Sequence, residues 1–125
     1  YLFQFVIKIF QEKPNMLNYF QLKREFQLNK AKLSMKERKN IWTCLINYYL
    51  ALVRENENID KHEVLELQKI GLEDKYLLSN NQISIIQFEN IVVGAAFFKE
   101  FDWIKGFIKT YANLPITAAS GFFNC

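Results

Sequence analysis

The residues able to do covalent or metal chemistry are few and stand apart. His62 is the one histidine and Cys44 and Cys125 are the two cysteines, and neither cysteine has a second Cys or a His at metal-ligand spacing. His62 follows Asp60 near an expected helix start, where positive charge is unfavourable, so it is expected to be neutral and solvent-facing. A general base needs an orienting partner and a nucleophile or bound substrate within reach, and no Ser, Cys or carboxylate arrangement supplies one. There is no Gly-rich phosphate loop and no metal-binding His and Glu pair. The expectation is a protein that is not an enzyme and holds no cofactor and no metal. Cys44 lies in IWTCLINYYL and reads as a small buried thiol. Two cysteines so placed form no disulfide framework and fit a reducing, cytoplasmic setting.

Two other sets of side chains could recognise a partner. An Asn amide offers two donors and an acceptor, enough to hold an extended peptide backbone or to satisfy a carbonyl inside a helix stack; Asn47, Asn90 and Asn124 form such a series. The second set is basic. Residues 1–40 hold nine Lys or Arg against three acids, a balance of +6, whereas residues 41–125 hold seven against ten. Lys23, Arg24, Lys30, Lys32, Lys36, Arg38 and Lys39 surround an expected interhelical loop and could attract nucleic acid or another polyanion. The plainer reading is a solvated helix end, because no RNA-binding motif stands beside them.

These residues need elements to position them. Half of the 125 residues are apolar, enough for one domain with a sizeable core, while four Gly and two Pro are a poor supply for a many-turned β architecture. The class expected is all-α. Lys8, Glu89, Lys99 and Lys105 interrupt the best apolar runs, so no membrane-spanning helix is expected. The opening LFQFVIKIF lacks a basic leader and a small-residue cleavage site and does not read as a signal peptide.

Helical spacing runs from Leu2 to Lys13, where Pro14 closes the first helix and Asn15 can cap the second. Ser34 with Glu37 fits a capping box ahead of the long stripe Ile41, Trp42, Leu45, Ile46, Tyr49, Leu52 and Val53. Asp60 with Glu63 repeats the signal, Ser79, Asn80 and Asn81 mark a turn, and Ser84 with Gln87 gives a third box. The helix after Ser84 is apolar nearly all round, as if packed between neighbours, and Gly94 in it points to a close helix contact. Phe101 opens a last helix, with its ring expected in the interhelical core, and Pro115 ends it. Trp42 and Trp103 are expected to pack in the core, and Glu66, Lys69 and Glu73 to form an ordinary solvated face.

Phe88, Asn90 and Ile91 are echoed by Phe122, Asn124 and Cys125 at a spacing of 34 residues, the period of tetratricopeptide repeats. The segment Phe88 to Pro115 resembles a degenerate repeat of that family, with a large residue, then Asn and an aliphatic in the first helix, an aromatic at Phe101 and a closing proline. Leu45, Asn47 and Tyr48 look like an earlier copy, and the whole is similar to a set of uncharacterised bacterial proteins built from irregular repeats. The resemblance implies antiparallel helix-hairpin repeats stacked as a short right-handed solenoid of about six helices plus the start of a seventh. Approximate units are 1–33, 34–82, 83–116 and 117–125, a piece of a longer array. It implies a non-catalytic protein–protein interaction scaffold whose first-helix positions, Asn47 with Arg54 and Glu89 with Asn90, Val93 and Phe97, face a protein or peptide partner. Polyanion binding through Lys23 to Lys39 and a purely structural spacer are the alternatives.

Overall fold

A computed structural model describes residues 2–111, with side chains from residue 4 onward. The described residues are all-helical, in six α-helices: α1 (Leu2–Gln11), α2 (Met16–Asn29), α3 (Met35–Glu55), α4 (His62–Glu73), α5 (Ile85–Phe97) and α6 (Phe101–Tyr111). A 3-10 turn, Lys30–Lys32, joins α2 to α3. The chain divides into two compact units, Tyr1–Val64 and Leu65–Cys125, and the division falls within α4. The echo at Phe122, Asn124 and Cys125, together with Pro115, lies outside the described residues.

In the first unit the caps act where the sequence places them. Asn15 is extended and its side-chain oxygen accepts the Asn18 N–H at 2.8 Å, starting α2. Ser34 accepts the Glu37 N–H at 3.2 Å while the Glu37 carboxylate accepts the Ser34 N–H at 3.0 Å, closing the capping box of α3. The α2 stripe Tyr19, Leu22 and Phe26 and the α3 stripe Ile41, Leu45, Tyr48, Tyr49 and Leu52 are buried, and the two helices pack together. They run antiparallel: at one end the Asn15 N–H donates to the Tyr48 hydroxyl at 3.0 Å, and at the other Arg38 Nε donates to the Lys30 carbonyl at 2.6 Å.

The second unit is a three-helix packing built in two layers. Leu65, Ala95 and Ile104 form one layer and Leu72, Ile91 and Phe107 the next, so α5 runs antiparallel to both α4 and α6. Asn80 and Asn81 have φ of 54° and 61°, and Ser79 and Gln82 exchange backbone hydrogen bonds at 2.9 and 3.0 Å. This is the two-residue reversal that requires positive φ at both central positions, and Asn tolerates it. At the end of α5, Lys99 takes φ 59°, its N–H bonds to the Ala96 carbonyl at 2.9 Å, and the Glu100 N–H bonds to Ala95 at 3.0 Å. That pair of bonds is a Schellman closure with lysine where glycine is usual.

Three expectations are corrected here. Phe101 opens α6 as expected but is 56% exposed, so its ring lies outside the core; Ile104 and Phe107, three and six residues on, carry the buried stripe instead. A Cβ added at Gly94 would meet nothing within 4 Å, so the glycine allows no close helix contact. Helix α5 buries only Ile91 and Ala95, and is covered on one side rather than packed all round.

Candidate functional site

The expected partner-contacting residues fall on two separate helix faces. Asn47 and Arg54 are exposed on α3, seven residues apart and therefore on one side of that helix. Glu89, Asn90, Val93 and Phe97 are exposed on α5. At about 100° per residue, Ile86, Asn90, Val93 and Phe97 fall within an arc of about 60°. Ile86 is 45% exposed, Val93 69% and Phe97 74%. Asn90 therefore sits in the middle of an outward apolar stripe, and not inside a helix stack. Asn124 lies outside the described residues.

Around the first hairpin turn the basic residues divide. Lys23 is committed, its Nζ 2.6 Å from the Glu63 carboxylate, and Arg38 is held by the Lys30 carbonyl. Arg24, Lys32, Lys36 and Lys39 are exposed.

The Lys23 to Glu63 pair belongs to a polar network that local sequence reasoning missed. The Tyr19 hydroxyl donates to the same Glu63 carboxylate at 2.5 Å, and the Tyr49 hydroxyl donates to the Asp60 carbonyl. The two tyrosine rings lie 4.8 Å apart. Burial, then the hydrogen bond and charge of Glu63, push the Tyr19 hydroxyl well above its ordinary value, and burial raises Tyr49 as well. Glu63 thus does not reach back to cap its own helix; Asp60 caps the turn alone by accepting the His62 N–H at 2.9 Å. His62 is half-buried rather than solvent-facing. Cys44 is also half-buried, and burial raises its thiol, which stays protonated and weakly nucleophilic.

Lys69 likewise departs from an ordinary solvated face. The Schellman closure after α5 places the Glu100 carboxylate 2.5 Å from Lys69 Nζ, with Glu66 at 3.4 Å, and the ammonium lies 4.9 Å from the centre of the Trp103 ring. Burial lowers the Lys69 ammonium, but the Glu100 hydrogen bond and the charges of Glu66 and Glu100 outweigh it and raise the group overall. Trp42 is buried as expected, and Trp103 is half-buried but packs against both core layers of the second unit. Trp103 walls an open cleft of about 610 Å³ between α4 and α6, with Phe107 and Tyr111 one and two turns along and Glu73 and Asp102 at its rim. The i, i+4, i+8 spacing of the three aromatics was the available sequence signal for this wall.

No helix among the described residues is long and apolar enough to cross a membrane. Compared with protein families, curated proteins and solved structures, the chain matches none.

Proposed function

We propose that the chain is a non-catalytic helical-repeat module, tetratricopeptide-like in stacking antiparallel hairpins as a right-handed solenoid, that binds another protein through the outward face of α5. The observation that carries the reading is the stripe Ile86, Val93 and Phe97, apolar and exposed along three turns of one helix. A contiguous apolar face of this kind is costly to leave in water and marks an interaction surface. Asn90 in its centre supplies a donor and an acceptor without adding charge, and Glu89 stands at its edge; together they would set the register of a partner helix laid along the stripe. The alternative of polyanion binding draws on weaker support, since Lys23 and Arg38 are already engaged within the first unit.

The test is site-specific photo-cross-linking from residue 97, with residue 39 on α3 as the control position, in extract of the organism that makes the protein. The expected result is a discrete adduct with one other protein, formed from position 97 and lost when Val93→Lys is added. A self-adduct, or equal yields from positions 97 and 39, overturns the reading.

A further inference from the structure

We propose that the chain pairs with a second copy of itself along the outward face of α2, the two helices lying antiparallel across a two-fold axis. The proposal does not rest on the α5 face, with which it shares no residue.

Three large apolar side chains on the α2 face, Leu17, Phe20 and Leu28, are more than half exposed. With Arg24, also exposed, they fall within an arc of about 80° at about 100° per residue. The buried residues of the helix, Tyr19, Leu22 and Phe26, take the opposite side. Arg24 stands near the middle of the arc, and no hydrogen bond, ion pair or ring contact among the described residues engages it. The uncharged amides of Gln21 and Gln27 border the arc. An apolar stripe of this kind marks a contact surface, and a guanidinium inside it needs a partner that answers its charge.

A reversed copy supplies that partner. Leu17 and Leu28 stand at the two ends of the stripe, with Phe20 three residues in from one end and Arg24 four residues in from the other. Turning a second helix end for end therefore lays its Leu28 on Leu17 and its Phe20 beside Arg24, and the two-fold axis repeats both contacts. The guanidinium then meets the face of an aromatic ring, an attraction that strengthens as water is excluded. The order of residues selects this arrangement, because a parallel pair in register would set the two copies of Arg24 against each other, like charges in an apolar seam. A two-fold contact uses one patch twice and closes at the dimer. One helix face is smaller than the roughly 800 Å² per partner of a standard interface, so a dissociation constant of about 10–100 μM is expected.

The experiment follows the mass of the intact chain by sedimentation equilibrium from about 5 μM to about 1 mM, on either side of that constant. Isotope-filtered NMR on an equal mixture of labelled and unlabelled chain then identifies the contact. The expected result is a monomer–dimer equilibrium with an intermolecular contact between the methyl groups of Leu17 and Leu28. Within one copy these residues lie about 16 Å apart along the helix, so the contact can come only from a second copy. Leu28→Lys and Arg24→Glu should each weaken the dimer by about tenfold or more. Both replace exposed side chains, so the far-ultraviolet circular dichroism should be unchanged. A mass that stays monomeric or grows beyond the dimer, a contact joining Leu28 to Ile86 of the other copy, or a dimer that survives both variants overturns the proposal. Phe97→Lys should leave the dimer intact, so failure of the α5 reading and failure of this one are separate results.

Discussion

The two units spend their polar groups differently. In the first, the tyrosine hydroxyls of the core are closed within the unit: Tyr48 on the backbone of Asn15, Tyr49 on the carbonyl of Asp60, and Tyr19 on Glu63 together with Lys23. Its outward α2 face does show Leu17, Phe20 and Leu28, but Arg24 interrupts that surface with a charge. In the second unit the core is two layers of aliphatic and aromatic side chains, while Asn90, Glu73 and Asp102 stand exposed, with no side-chain hydrogen bond or ion pair among the described residues. A hydrogen-bonded network fixes its members but leaves little to offer another molecule, whereas open carboxylates and an exposed apolar stripe have their binding capacity unspent.

The contrast can be tested where the second unit depends on aromatic packing. Phe107 is buried between the rings of Trp103, Phe88 and Tyr111. Phe107→Ala should cost about 3–5 kcal/mol in urea unfolding. Phe101→Ala, which removes a ring 56% exposed, should cost less than about 1 kcal/mol. Equal losses would mean that α6 is rotated and that the cleft has another wall.

A smaller loss sharpens the description of the first unit. Tyr19→Phe deletes a hydroxyl bonded to a carboxylate and should cost about 1.5–3 kcal/mol. The same tyrosine sets a pH limit. Its folded-state value lies above the unfolded one, so its contribution is complete below the unfolded value of about 10 and is lost as pH rises beyond it. Tyr49 and Lys69 shift in the same direction. Thermal unfolding followed from pH 8 to 11 should therefore show the melting temperature falling above about pH 10. The fall should be shallower in Tyr19→Phe, and an unchanged slope would place Tyr19 outside the network.

The smallest effects concern backbone in the second unit. Gly94→Ala should stabilise α5 by about 0.5–1 kcal/mol, since a methyl there meets open space. Lys99→Gly should add about 1 kcal/mol by relieving the left-handed position. Destabilisation by Gly94→Ala would restore the close helix contact that the glycine first implied.

What was legible in the sequence was local. Asn15, the Ser34 and Glu37 box, Ser84 and the Asn80 and Asn81 reversal act on backbone groups within three or four residues, so their types and spacing determine what they do. The stripes of α2 and α3 were legible because helical spacing puts i, i+3 and i+4 on one face. Asn47, Arg54, Glu89, Asn90 and Phe97, expected to face a partner, are exposed, whereas the sequence alone also fitted Asn90 to a stack interior. Other assignments needed the fold. Glu63 looks like a capping residue until Tyr19 and Lys23, over forty residues earlier or nearly so, are brought to it. Lys69 looks like half of a surface pair until the turn after α5 carries Glu100 across to it and α6 lays Trp103 beneath it. Whether Phe101 or Phe107 enters the core depends on the rotation of α6 against α4 and α5. That rotation is set by long-range packing of side chains, which no spacing within one helix encodes.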